Sequence, residues 1–492
     1  MRTNQPYFKF DENKYQQIKN AGIDQLIQAH SIFKPVVQAG KNLKQNSYVI
    51  GGWVRDLLLN RSSKDVDIVT PQDGIELAKE TAKVLNHKKV NIFKNFGTAM
   101  IKSKEMEYEF VGARKESYDS NSRKPYVSPG TLTDDQKRRD FTINTLSIGL
   151  SGDQEGQLID PFNGIDDLRN GILRTPLDPI KTYSDDPLRM MRAIRFASQL
   201  GFKIDKASFQ AITSQKERIH IISKERINVE LGKIMLSPKP SIGLSLLEKT
   251  GLLKILIPEL TALKGVTEEE GQTHKENFYH TLEVVDNISQ NTDNIWLRYA
   301  ALFHDIGKAP TKRFDKKIGF TFHGHEAVGA KMITKIFRRL KLPLDHKLQY
   351  VKKLVYLSSR PIALVNDDVS DSGVRRLLFD AGDDINDLMT LCDADITSKN
   401  PHRVRKYRQN FVRVRDKMKE VEERDRVTNF QPPITGEEIM KTFGLQPCRE
   451  IGTIKTQIKD AILEGDISND KQEAYQLMLK LGEQIGLKVV KG

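Results

Sequence analysis

The chain has 492 residues, 38% of them hydrophobic and 29% charged, with a formal net charge of +13. That length predicts two to four domains, and the lack of any run of about 18 apolar residues argues against a membrane-spanning helix. Only Cys392 and Cys448 are present, which argues against a disulfide framework and for a reducing cytoplasm, while the basic balance fits a polyanionic partner.

The opening stretch "MRTNQPYFKFDENKY" has no apolar core of the kind a secretory signal needs. A helical pattern up to about Gly40 leads into a strand at Ser47–Ile50, a short helix at Trp53–Leu59 and a strand at Val66–Val69. Further strand-like segments are Lys89–Phe93, Thr98–Ile101 and Glu107–Ala113. The polar stretch Lys115–Gln136 contains two prolines and a glycine and reads as a mobile loop. Strand signal returns at Phe141–Leu150, and from Asp186 the pattern is helical nearly to the end. The whole reads as an α+β head of about 175 residues followed by a long helical body, without internal repeats.

Within "GGWVRDLLLNRSSKDVD" the strand period puts Asp65 and Asp67 on one face and Val66 on the other. Two carboxylates that close repel, and one protonates unless a cation sits between them. Mg²⁺ suits the position, because it takes oxygen ligands and also binds phosphates. Gly51 and Gly52, at the start of a helix, let backbone approach such a phosphate. Glu107 and Glu109, on the neighbouring strand, are candidates for a third carboxylate. Asp186 and Arg189 are spaced i, i+3, which on a helix gives them one face. An Asp accepts from an exocyclic amine while an Arg donates to a ring acceptor, so cytosine and adenine satisfy the pair, and uracil and guanine leave a charge unpaired.

Ordered motifs carry a resemblance across nearly the whole chain: "GGWVRDLLL…DVD", "RRDFTINTL" (Arg138–Leu146), "DDLRNGILR" (Asp166–Arg174), "DDPLRMMRAIRFA" (Asp185–Ala197) and "ERINVE" (Glu225–Glu230). Together they resemble the class II tRNA nucleotidyltransferases (CCA-adding enzymes) and bacterial poly(A) polymerases of the DNA polymerase β superfamily. Asp185 stands where the family usually has Glu. The resemblance implies a polymerase-β-like head with a mixed sheet and helices, then an all-α neck, an HD domain and a tail. The corresponding segments are 1–30 (N-terminal helical), 31–175 (head), 176–262 (neck), 263–397 (HD) and 398–492 (RNA-binding tail).

It further implies attack by an RNA 3′-hydroxyl on the α-phosphate of CTP or ATP, adding C, C and A to tRNA with release of pyrophosphate. Asp65 and Asp67 would be catalytic and hold two Mg²⁺ ions. Gly51, Gly52, Arg55, Arg139, Asp140, Asn144, Asp186, Arg189, Arg192 and Arg195 would meet the nucleotide. A poly(A) polymerase, or an enzyme adding only CC or only A, is the alternative inside the family.

"NFYHTLEVV" and "YAALFHDIGKAPT" resemble the HD phosphohydrolase superfamily through His280, His304 and Asp305, with Asp395 or Asp393 closing the set and His323 and His325 as further ligands. This implies a second divalent metal and, as an alternative main activity, phosphoester hydrolysis. Ser358 and Ser359 stand where a further histidine is expected, which weakens a two-metal site. Past it, Lys399, Arg403, Arg405, Lys406, Arg408, Arg413 and Arg415 lie on a helical stretch suited to phosphate contacts. Gly444, Pro447 and Gly452 precede a helix whose N–H groups could hold a phosphate, with Cys448-Arg449 where family members often have Gly-Pro. No feature of the sequence bears on oligomeric state.

Overall fold

The computed structural model describes residues 7–21, 24, 27, 32–87, 89–94, 97–103, 106–117, 126–265, 267–269, 272–274, 277–366, 370–397, 400–428 and 430–490. They form two compact units, Met1–Leu256 and Ile257–Gly492. Among the described residues no helix is long and apolar enough to cross a membrane.

The first unit is built on strands β1 (Ser47–Ile50), β2 (Asp65–Thr70), β3 (Asn91–Phe93), β4 (Thr98–Ser103), β5 (Met106–Gly112), β6 (Arg114–Ser117), β7 (Tyr126–Pro129), β8 (Ser147–Ser151) and β9 (Leu158–Ile159). Seven of them make one mixed sheet in the order β3-β4-β5-β2-β1-β8-β9. Every pairing in it is antiparallel except β2 with β5. A parallel pair needs a long crossover, supplied here by the Gly74–Val84 helix and the β3–β4 hairpin. Asp73 starts that helix by accepting from the N–H groups of Ile75 and Glu76.

Strand β2 shows why the two acids are available. Val66 and Ile68 are fully buried, Asp67 is half-buried and Asp65 is exposed, so the apolar alternation fixes the face on which the carboxylates stand. Parallel register sets Asp65 opposite Glu107 and Asp67 opposite Glu109. Beside them β1 ends at Ile50, and Gly51, with a φ of +85°, turns the chain into the Gly52–Leu58 helix.

Two sequence expectations are corrected. The stretch 115–136 is not simply a loop. β6 and β7 pair as a hairpin around residues 118–125, which lie outside the described residues, and a Leu132–Lys137 helix follows with a Thr131–Asp134 capping box. Nor does a strand run from Phe141 to Leu150, because a 3₁₀ turn occupies Thr142–Asn144 and β8 begins at Ser147. There the Asp140 carboxylate accepts from the Phe141 N–H at 3.0 Å and from the Asn144 amide at 2.9 Å, which folds the backbone away from extended geometry.

Helices Pro179–Asp185, Leu188–Leu200, Lys206–Gln215, Lys224–Met235 and Pro240–Thr250 complete this unit. The Leu188–Leu200 helix buries Met190, Met191, Ala193, Ile194 and Ala197 completely and packs on the Lys224–Met235 and Pro240–Thr250 helices.

The second unit is almost entirely helical, including Asn277–Ser289, Ile295–Phe303, His325–Leu340, Ile385–Asp395 and the 25-residue Pro401–Asp425 helix. Gly307 permits a close crossing, since a Cβ there would lie 2.0 Å from the His325 carbonyl oxygen.

Ile68 is a buried anchor on the face of β2 opposite the two acids. Ile68→Ala should cost about 2–5 kcal/mol and lower the urea midpoint of the first unit's transition. An unchanged midpoint would show that β2 is held by something other than its apolar face.

Candidate active site

A cavity of about 1200 Å³ opens in the first unit. Asp65, Asp67 and Glu109 line it from the sheet, and Asp186, Arg189, Arg192 and Arg195 from the start and middle of the helical part. Gly51 suits its place through its φ of +85°, and a Cβ there would also press on Arg139 Nη1, 2.5 Å away. Burial raises the pKa of the Asp67 carboxyl and nearby Asp135 and Asp65 add to it, while Arg139, at 3.8 Å, works the other way. Glu109 is likewise raised, by burial and then by Asp67. Glu107 is instead held by Lys102 at 2.8 Å. Of the two candidate third acids, it is therefore Glu109 that shares the cavity with Asp65 and Asp67. Carboxylates that resist ionisation beside one another are relieved by a hard divalent cation, and their oxygens are the donors such a cation takes.

A continuous chain of hydrogen bonds crosses the cavity floor. Arg55 donates through Nε and Nη2 to Asp56 at 2.9 and 3.0 Å, and through Nη1 to Asn144 Oδ1 at 2.7 Å. Asn144 in turn donates to Asp140 at 2.9 Å, and Asp140 receives Arg192 through Nε at 2.7 Å. Burial opposes the charge on Asp140, yet Arg192 and Asn144 hold its pKa down at about 2. Arg55 is thus engaged on both edges and stacked 4.9 Å from the Phe196 ring centroid.

Asp186 and Arg189 both line the cavity, but Asp186 stands in front of the helix rather than on it. The Leu188–Leu200 helix has Pro187 as its N-cap, and the Asp186 carboxylate accepts from the Leu188 N–H at 3.2 Å. Arg189 Nη2 donates to the Arg138 carbonyl at 2.6 Å, which steadies the guanidinium. Arg195 is buried against Glu230, with Nη1 2.9 Å from Oε2, and burial lowers its pKa to about 10, with Arg192 adding to the effect.

Sequence reading gave no site role to Arg138, Arg226 and Glu230, which it met only as motif members, and passed over Asp135 and Lys233. All but Asp135 line the cavity. Asp135 is fully buried and receives Arg138 Nε at 2.9 Å and Arg139 Nε at 3.2 Å. Its i+3 and i+4 spacing to those arginines was a usable signal, hidden by reading the region as a loop.

In the second unit His280, His304 and Asp395 bring ligand atoms within 4.8 Å of one another. His304 Nδ1 is taken by the Ala301 carbonyl at 2.8 Å and His280 Nδ1 by Thr397 Oγ1 at 2.9 Å, so both Nε2 atoms turn inward. His304 Nε2 and Asp395 Oδ1 are buried without a well-aligned hydrogen bond, His280 Nε2 lies 2.8 Å from the same carboxylate oxygen, and this set of two imidazoles and a carboxylate suits a divalent cation. Burial disfavours the His304 imidazolium, but Asp305 and Asp395 overcome this and raise its pKa to about 10. Asp305 lies beside the group, 3.3 Å from His304 Nε2 and 3.7 Å from His280 Nε2, and receives Lys308 at 2.7 Å. His325 comes within 3.7 Å of Asp305, while His323 is exposed. Asp393 pairs with Arg415, leaving Asp395 to close the set. Ser359 donates to Glu326, and Ser358 to the Val355 carbonyl.

On the Pro401–Asp425 helix, Phe411, Val414, Met418 and Val421 are buried, and Arg403, Arg405, Lys406, Arg408 and Arg413 are exposed with no acidic partner among the described residues. Lys399 lies outside the described residues. The later helix runs Arg449–Glu464, so Gly452 falls within its first turns rather than before it, and Gly444 instead ends the Gly436–Phe443 helix at φ +66°.

Three family models match the chain in succession: the Poly A polymerase head domain over residues 47–174, the Probable RNA and SrmB-binding site of polymerase A over 201–264, and the HD domain over 277–399. An A-adding tRNA nucleotidyltransferase of Deinococcus radiodurans is 28% identical over 447 residues, covering 89% of this chain and 95% of that protein. A CCA-adding enzyme of a Geobacillus species is 38% identical over 226 residues, covering 45% of this chain and 53% of that protein. The fold is that of the Thermotoga maritima CCA-adding enzyme solved as a complex with tRNA, with a TM-score of 0.59 at 19% identity and coverage of 96% and 99%. Chemistry in this family depends on a divalent metal. With its acids, its basic wall and the matched head, RNA-binding and HD segments in this order, the chain carries the modules of poly(A) polymerases, is similar along most of its length to a tRNA nucleotidyltransferase, and is a nucleotidyltransferase.

Proposed function

We propose that this protein adds C, C and A to the 3′ end of tRNA, drawing on CTP and ATP and releasing pyrophosphate. One juxtaposition carries the reading: Asp65 and Asp67 line the same cavity as Asp186 and Arg189. The reacting phosphate and the base of one nucleotide can therefore be held together. The relatives named for A addition and CCA addition support the substrate class.

Asp65 and Asp67, with Glu109 beside them, would hold two Mg²⁺ ions, which when bound lower the pKa of the attacking hydroxyl and clamp the attacking and leaving oxygens. Phosphoryl transfer asks the protein mainly for positioning and charge. Arg139 and Arg192 supply cationic forks toward the triphosphate. Asp140 and Asn144 stand where sugar hydroxyls can be met. Asp186 accepts the exocyclic amine of cytosine or adenine, and Arg189 donates to the adjacent ring nitrogen, so side chains do the work of a template. The neck, residues 176–262, reads the base. The exposed cations Arg403, Arg405, Lys406, Arg408 and Arg413 bind RNA phosphates through the salt-dependent release of counterions. The site of action is the cytoplasm.

The deciding experiment supplies tRNA lacking its 3′ end together with each labelled nucleotide triphosphate, then sequences the product. Addition of CCA supports the reading; CC, A alone or a long A tail assigns one of the related activities instead.

Asp65→Ala and Asp67→Ala should each abolish addition while the thermal midpoint stays at the wild-type value, because neither side chain is part of the core. Near-normal turnover by either variant in Mg²⁺ refutes the assignment. Arg189→Ala should blur the choice of CTP and ATP over UTP and GTP by about tenfold or more. Unchanged selectivity in a four-nucleotide competition removes Arg189 as the reader.

For the second unit we propose a divalent cation between His280, His304 and Asp395. Purified protein should carry close to one equivalent of metal by elemental analysis, and His304→Ala should lose it while nucleotide addition persists. Equal metal content in both proteins would overturn this site.

A further inference from the structure

The arginines around the acids are largely spent on carboxylates: Arg55 on Asp56, Arg139 on Asp135, Arg192 on Asp140 and Arg195 on Glu230. Lys233 is different. It lines the same cavity from the Lys224–Met235 helix, less than one turn beyond Glu230, and its ammonium meets no carboxylate within ion-pair distance among the described residues. The charges that act on it are Arg195, Glu230, Arg192 and Asp65. Partial burial and the two arginines hold its pKa below the usual value for lysine.

Its place along the cavity tells what it faces. The base-reading pair stands at the N-terminal end of the Leu188–Leu200 helix, and Arg192 and Arg195 follow at one-turn intervals. From Arg189 to Arg195 the helix rises about 9 Å. A nucleotide with its base at Arg189 and its α-phosphate at Asp65 and Asp67 therefore extends its remaining phosphates toward Arg195 and, next to it, Lys233. On the reading that this cavity transfers nucleotides, we infer that Lys233 is the cation that holds the β- and γ-phosphates and then the departing pyrophosphate.

The charge balance of the step gives the residue its use. The RNA 3′-oxygen bonds to the α-phosphorus and its proton passes to water. The bond from that phosphorus to the bridging oxygen breaks, and the electron pair leaves with the pyrophosphate. Negative charge thus grows at the Lys233 end as the reaction proceeds. A cation not tied into an ion pair binds the product side more tightly than the reactant side, which is the condition for accelerating the step.

The test uses the full-length protein with Lys233→Met and Lys233→Arg. Calorimetric titration of magnesium pyrophosphate should show binding weakened about tenfold to a hundredfold in Lys233→Met and largely restored in Lys233→Arg. In the reverse reaction, pyrophosphate with mature tRNA, Lys233→Met should need correspondingly more pyrophosphate, while its KM for tRNA in the forward direction stays unchanged. Wild-type pyrophosphate affinity in Lys233→Met overturns the inference, and so does a raised KM for tRNA with pyrophosphate binding intact, which would assign the residue to the RNA. Because the calorimetry needs no tRNA, failure of the wild type to extend tRNA would sink the proposed function and leave the Lys233 result readable by itself.

Discussion

The run of bonds from Asp56 through Arg55, Asn144 and Asp140 to Arg192 is the constraint on which the rest of the cavity depends. It ties the helix after the glycine turn, the 3₁₀ turn before β8 and the Leu188–Leu200 helix into one body. All but Arg192 are nearly inaccessible to water. Such a chain is intolerant of partial loss, because removing one member leaves its neighbour charged and buried. What it secures is a distance: the acids stand on the sheet and Asp186 and Arg189 at the mouth of a helix, and a stiff connection keeps the two groups in fixed relation across one cavity.

The same economy of charge explains the rest of the wall. Asp67 on β2 and Glu109 on β5 are kept reluctant to ionise by burial and by neighbouring carboxylates, a state that a divalent cation relieves. Arginines nearby are kept straight by carboxylates of their own, so the cavity is dense in cations without being overwhelmingly positive. A triphosphate entering it meets guanidinium groups that are already oriented, and the entropic cost of arranging long side chains has been met during folding. In the helical unit the logic is repeated with imidazoles. There Thr397 and the Ala301 carbonyl aim two histidines inward at a carboxylate.

How much of this was legible in the sequence depended on the range of the interaction. Asp65 and Asp67 could be placed on one face because strand alternation is local, and the glycines before them because a tight turn is local too. The distinction between Glu107 and Glu109 could not be read, since it rests on the register of a parallel pair joined by a 35-residue excursion, Pro71 to Glu105. Polar, glycine- and proline-bearing sequence hid the β6–β7 hairpin, whose strands satisfy each other outside the main sheet. Asp140 and Asn144 converted an apparent strand into a 3₁₀ turn through side-chain bonds that no hydrophobic pattern reports. The choice of Asp395 over Asp393 was settled by which one Arg415 had already claimed.

The lining of the cavity is drawn from residues 52 to 233, and this has a consequence for synthesis. A nascent chain that has emerged only as far as the last strand of the sheet owns the acids of β2 but none of the selecting surface, and Asp140 still lacks its guanidinium. On the proposed assignment of these residues, transfer and base selection are therefore completed together as the chain is made.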